Sequence, residues 1–98
     1  MHYIISTKAA EDLEQLWQYT YLRWSEQQAD KYYNLIIKRI EFIAQHATAG
    51  RIMDDVKEGY RYYTVESHII FYRISEDNTV TIIRILHQQM DIPNRLKD

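Results

Sequence analysis

The stretch Ser67-His68-Ile69-Ile70-Phe71-Tyr72-Arg73-Ile74 decides the fold. It is rich in β-branched and aromatic residues, which suit a pleated surface. Turn chemistry flanks it, with Glu66-Ser67 at one end and Glu76-Asp77-Asn78 at the other. Beyond those turns, Tyr60 to Val65 and Val80 to Leu86 have the same composition. Three such runs in succession predict a three-stranded antiparallel meander. Alternation along the central run puts His68, Ile70, Tyr72 and Ile74 on one face, and Ile69, Phe71 and Arg73 on the other. Both faces are therefore apolar, whereas a sheet with one face in water alternates cleanly between apolar and polar residues. The second face predicts a cover. Either the tail residues Met90, Ile92 and Leu96 fold back over it, or a partner chain does.

Upstream of the meander the period changes to that of helices. Leu13, Leu16, Trp17, Thr20 and Trp24 recur at three- and four-residue spacing, so they share one face of a helix that starts near Thr7 with Ser6 as its cap. Ser25 with Gln28 three residues on resembles a capping box. The second helix carries the stripe Ala29, Tyr32, Tyr33, Ile36, Ile40, Ile43 and ends near Gln45, ahead of Gly50. With almost no linker between them, the two helices predict an antiparallel hairpin. Tyr3-Ile4-Ile5 reads as a short strand at a sheet edge or beside the last strand, and residues 50–59 read as a polar loop. The class is α+β, order β-α-α-β-β-β, with the helical hairpin packed on one face of a small, mostly antiparallel sheet.

Length and composition narrow the function. Ninety-eight residues allow one domain, spanning 1–98, and leave no room for a large cofactor site. The near-balanced charge of −2 speaks against a protein that mainly grips a phosphate backbone. With no cysteine, disulfides, thiolate metal sites and a cysteine nucleophile are excluded. No apolar run approaches the roughly 20 residues of a membrane span, and a cytoplasmic location is expected.

Chemistry-bearing constellations are sparse. Two distant glycines, Gly50 and Gly59, cannot make a phosphate-binding loop. The histidines His2, His46, His68 and His87 lack ligand spacing, so no metal is expected. Ser67 and His68 are adjacent on a strand and point to opposite faces, which does not make a nucleophile and its base. Asp54 and Asp55 sit in a polar stretch where nothing tunes a carboxylate for acid–base work. Nine tyrosines and two tryptophans suggest base stacking, but Trp17, Trp24 and Tyr33 lie on the helical core faces and read as packing. Arg61, Arg73 and Arg84, one on each meander strand, make an anion-binding patch if they converge and are solubilising residues if they do not.

These motifs also carry a resemblance. Ala9-x-x-Asp12-Leu13-x-x-Leu16-Trp17, Arg23-Trp24-Ser25-x-x-Gln28-Ala29-x-x-Tyr32, Gly50-Arg51 and Gly59-x-Arg61 follow one another in order. The most specific pair is Ser67-His68-Ile69-Ile70-Phe71-Tyr72-Arg73 with Ile83-x-Ile85-Leu86-His87-Gln88-Gln89-Met90-Asp91 after it. From nearly the first residue to the last the chain resembles the ParE branch of the ParE/RelE toxin superfamily. The resemblance implies a toxin of a type II toxin–antitoxin pair, with DNA gyrase as target, a ParD-like antitoxin as partner, no cofactor and no enzymatic activity. Phe71, Arg73, Arg84, His87 and Met90 are the expected partner-facing residues.

Within the same fold, RelE-type relatives are ribosome-dependent messenger-RNA endoribonucleases. They hold substrate with lysines and arginines on the sheet and a tyrosine in the tail. Those basic positions fall near Tyr60, Tyr62, Ile69 and Gln88 here, and no tyrosine follows Met90. Without such cations nothing stabilises the charge that develops in phosphodiester cleavage. A third reading, from another class, is an interaction module that has lost toxicity.

Overall fold

The computed structural model describes residues 2–97. Strand β1 (Tyr3–Ile5) leads into α1 (Thr7–Arg23) and α2 (Glu26–Gln45), then a 3-10 turn (Ala47–Ala49) and the strands β2 (Arg51–Ile52), β3 (Tyr60–Val65), β4 (His68–Ile74) and β5 (Val80–His87). A single-turn helix, α3 (Ile92–Arg95), follows. The five strands form one sheet in the order β1-β5-β4-β3-β2, with β1 parallel to β5 and every other pair antiparallel. The meander and the helical hairpin are as the periodicity predicts, and β1 is both an edge strand and the neighbour of the last one.

Both helices start on the serines singled out by sequence. The hydroxyl oxygen of Ser6 accepts from the Ala9 amide at 3.0 Å, and that of Ser25 from the Gln28 amide at 3.1 Å, satisfying donors that a first helical turn leaves free. The hairpin buries Ala9, Leu13, Leu16, Ile36, Ile40 and Ile43 against Val65, Ile70, Tyr72, Val80, Ile82 and Ile85 of the sheet. A β-bulge explains why Ile82 and Ile85, three apart, face the same layer. Phe71 pairs with Arg84 but Tyr72 with Ile82, so Ile83 is an extra residue that resets the alternation of β5.

Tyr72 is fully buried, and its hydroxyl is satisfied on both sides. It donates to the Ala47 carbonyl oxygen at 2.6 Å and accepts from the Gly50 amide at 2.9 Å, tying the 3-10 turn to the sheet. This close approach is why residue 50 is glycine. A β-carbon there would run into the Tyr72 ring and hydroxyl.

Two expectations need correction, and one open choice is decided. Residues 50–59 are not all loop: Arg51 and Ile52 pair with Tyr62 and Arg61 as a short edge strand, and Met53 turns inward. Trp24 is not core. It is 74 % exposed, because it caps the end of α1 with φ −128° and ψ −83°, where helical phase no longer applies. The second sheet face is covered by the chain itself. Met53 and Leu96 bury Phe71 and Leu86, with Tyr60, Tyr62, Ile69 and Ile92 packed around them. Of the two covers the alternation allows, the folded-back tail is the one present over this part of the face.

Candidate partner-binding surface

Strand β1 stops at Ile5, which leaves the far half of the β5 edge without a strand partner. Side chains at the start of α1 take over. Ser6 donates its amide to the Ile82 carbonyl oxygen at 3.0 Å and its hydroxyl to that of Ile83 at 2.8 Å. Further along, the Ile85 amide donates to Oδ2 of Asp12 at 3.0 Å. Arg84 grips the same carboxylate in a fork, Nε to Oδ2 at 2.8 Å and Nη2 to Oδ1 at 2.9 Å. Its Nη1 donates to the Arg95 carbonyl oxygen at 3.0 Å, so one guanidinium joins α1, β5 and α3.

Above this junction two clefts run between the helical hairpin and the end of the sheet. One, of about 770 Å³, lies against α2 and is walled by Tyr19, Trp24, Tyr32 and Leu35, with Lys31 and Lys38 among its lining residues. The other, of about 540 Å³, lies against α1 and is walled by Leu16, Leu22, Ile85 and Met90. They share Tyr19, His68 and His87, so they adjoin at the two imidazoles and together form an open surface channel with two arms. Its rim is apolar and open: Leu22 is 80 % exposed and Met90 37 %.

The histidines are direct cross-strand partners, with ring centroids 5.2 Å apart in an edge-to-face arrangement. Nδ1 of His68 lies 2.7 Å from the Tyr32 hydroxyl, which also lies 3.4 Å from the Val65 carbonyl oxygen. Burial, and then the nearby His87, lower the His68 pKa to about 4, so the ring is neutral at pH 7. Burial pushes the Tyr32 phenol up. Nδ1 of His87 accepts from the Gln89 amide at 3.1 Å. Among the described residues no group of three or more His, Asp or Glu side chains could hold a metal ion.

The five expected partner-facing residues fall into three sets. His87 and Met90 line the channel. Arg84 lies beneath it in the ion pair with Asp12, and Phe71 is 2 % exposed under the tail. Arg73 is exposed on β4, opposite Tyr60 and Thr81. The three strand arginines do not converge. The Arg61 guanidinium donates to the Gly50 carbonyl oxygen at 2.9 Å, near the β2 edge, far along the sheet order from Arg84. Leu22, Tyr19 and Tyr32 escaped sequence reading as site residues. Leu22 had a signal: it is an apolar residue outside the stripe formed by Leu13, Leu16, Trp17 and Thr20.

Comparison with known proteins places this geometry. A family model described as the ParE toxin of the type II toxin–antitoxin system parDE matches residues 3–92. The chain is 36 % identical over 94 residues to "Toxin ParE1" of Mycobacterium tuberculosis, covering 96 % of each chain. It is 38 % identical over 89 residues to "Toxin ParE1" of Caulobacter vibrioides, covering 91 % of each. A solved structure titled "Chromosomal ParDE TA system from P. aeruginosa" shares the fold, with a TM-score of 0.78 at 22 % identity over 89 % of this chain and 95 % of that one. The helical hairpin on a five-stranded, mostly antiparallel sheet thus comes with family-wide sequence similarity, and the chain belongs to the ParE toxins of type II toxin–antitoxin systems.

Proposed function

We propose that this toxin poisons DNA gyrase by binding it, with no chemistry of its own, and that a ParD-like antitoxin neutralises it by laying an amphipathic segment along the channel between hairpin and sheet. The observation that carries the antitoxin half is the channel itself, whose apolar rim of Leu22, Trp24 and Met90 faces water in the free chain. A helix with an apolar stripe buries such surface, which is the usual driving force of helix-in-groove recognition. Lys31 and Lys38 on the α2 side favour an acidic flank on that helix. His87 and Met90 would touch it directly, Arg84 and Phe71 would hold the wall in place, and Arg73 would meet whatever passes over the exposed part of β4.

Binding without catalysis is supported by the sheet. Tyr60, Tyr62 and Ile69, where ribonuclease relatives carry cations, are packed against the cluster of Phe71, Leu86 and Leu96. These three positions carry no cation of their own to offset phosphodiester charge, and Lys57, which lies 5.9 Å from the centre of the Tyr60 ring, stands outside them.

Induced expression in bacteria tests the reading, together with purified gyrase and supercoiled DNA. Filamentation, DNA damage and accumulation of cleaved DNA are expected, with rescue by the antitoxin encoded beside the toxin. Rapid translation arrest with cut messenger would overturn the reading in favour of a ribonuclease, and unimpaired growth would overturn both.

A further inference from the structure

Two hydrogen-bond donors stand unused where the arms of the channel meet. His87 is the simpler case. Its Nδ1 accepts from the Gln89 amide at 3.1 Å, so the ring carries its proton on Nε2. His68 reaches the same state through Tyr32. The phenol oxygen lies 2.7 Å from Nδ1 of His68 and 3.4 Å from the Val65 carbonyl oxygen, the second being too long for an ordinary O–H···O bond. The bonding pattern assigns the Tyr32 proton to Nδ1, which leaves the neutral His68 ring with its own proton on Nε2. Neither Nε2 has a hydrogen-bond partner among the described residues, and no side-chain nitrogen without a partner is buried there. Both N–H groups therefore open on the channel that the rings line.

We propose that the Nε2–H groups of His68 and His87 form a subsite for one carboxylate of the antitoxin, an aspartate or glutamate that the bound segment lowers into the channel where its arms meet. The proposal rests on the reading above that the antitoxin occupies this channel.

The chemistry of the subsite selects an anion. Two N–H donors on rings with centroids 5.2 Å apart can serve the two oxygens of one carboxylate. A partner lysine or arginine would meet only donors at these rings. On the α2 arm, Lys31 and Lys38 face a single lining carboxylate, Glu66, so that wall is net positive. On the α1 arm the one lining carboxylate is Asp12, whose oxygens are taken by the Arg84 fork and the Ile85 amide. The donors are also in place before a partner arrives. The rings are direct cross-strand partners, and Tyr32 holds His68 from α2. Around them Leu16, Leu22, Ile85 and Met90 offer only apolar surface, which does not fix where a segment lies along the groove. The paired donors do fix it, because a segment shifted out of register buries them without an acceptor.

The test uses full-length toxin and the full-length antitoxin encoded beside it, with affinity measured by calorimetry at pH 7.5. Each Asp and Glu of the antitoxin is replaced singly by Ala and titrated against wild-type toxin, His87→Leu and His87→Gln. Leucine removes the donor, whereas glutamine keeps an N–H group near the Nε2 position. One antitoxin carboxylate is expected whose loss weakens binding to wild type by about 10- to 100-fold, as for a hydrogen bond to a charged group. His87→Leu should lose a similar factor and His87→Gln should recover most of it. On the His87→Leu background the same antitoxin substitution should then change little. An antitoxin in which no carboxylate matters overturns the proposal without recourse to any toxin variant. So does a penalty of equal size on wild type and His87→Leu, because the acid then binds elsewhere. A penalty for His87→Leu that no antitoxin carboxylate shares overturns it in favour of a backbone carbonyl. Leu22→Asp separates the two readings. If it leaves affinity untouched, the antitoxin does not use the channel and both fall; if it weakens binding while His87→Leu does not, the channel stands and the subsite falls.

Discussion

Asp12 on the first helix and Arg84 on the last strand meet in a two-pronged ion pair, and the same Asp12 carboxylate accepts the backbone amide of Ile85. The carboxylate stands where a strand partner would otherwise be. It closes the part of the β5 edge that short β1 does not reach, and it fixes the base of the channel.

Removing one member of this pair is expected to be costly. Asp12→Ala leaves the Ile85 amide and the largely buried Arg84 guanidinium without their shared acceptor, a loss of about 3 kcal/mol. Asp12→Asn keeps one acceptor for the amide and should lose less. Urea unfolding of the two variants checks the order; equal stability of Asp12→Ala and wild type would show that the pair contributes nothing.

Tyr72 offers a cleaner case, since Tyr72→Phe removes one oxygen and little volume. The Gly50 amide and the Ala47 carbonyl lose their partner, so about 1–3 kcal/mol of stability should go. Gly50→Ala should be at least as damaging, because the added methyl meets the Tyr72 ring, part of a fully buried core. Thermal melts of both variants measure this.

Stability should also fall in acid through His68. Its folded pKa is lowered to about 4, below the value of 6.5 in an unfolded chain. Between these values the unfolded state binds more protons, so the stabilisation is full above pH 6.5 and is lost as the pH falls toward 4. The ring is partly exposed, which discounts the effect to about 1–2 kcal/mol. Urea midpoints at pH 7 and 4.5 should differ accordingly for wild type and less for His68→Gln.

Exposed and buried candidates should separate cleanly. Leu22→Asp and Trp24→Ser touch no core and should change folding stability by about 0.5 kcal/mol or less, while weakening the antitoxin by about 30-fold or more if they act as interface anchors. Phe71→Ala should do the reverse, with about 3–5 kcal/mol lost from folding. Arg73→Ala should leave stability unchanged. Paired calorimetry and denaturation curves on the four variants distinguish contact from support.

Much of the architecture was legible because its signals are local. Serine caps, three- and four-residue apolar spacing and alternation between Glu66-Ser67 and Asp77-Asn78 each depend on residues close in the chain, and each was met by the structure. Trp24 failed for a local reason as well, since helical phase was extended one residue past the helix end. The candidate site was less legible. His87 and Met90 do reach the channel, but Phe71 looked partner-facing only because alternation says which face a side chain takes and not what lies over that face.

The sequence by itself thus determined β1, the two long helices and the three meander strands in their order, the doubly apolar sheet and the family, all of which follow from periodicity, caps and contiguous motifs, whereas the short β2 and α3 carry no such signal. Tertiary structure alone decided that Leu96 and Met53 cover Phe71, that Arg84 is bound to Asp12 while Arg61 turns to Gly50, and that Tyr32, His68 and His87 meet. Asp12 and Arg84 are 72 residues apart, and so distant a pairing depends on how layers pack and where a short strand ends, which no local pattern encodes.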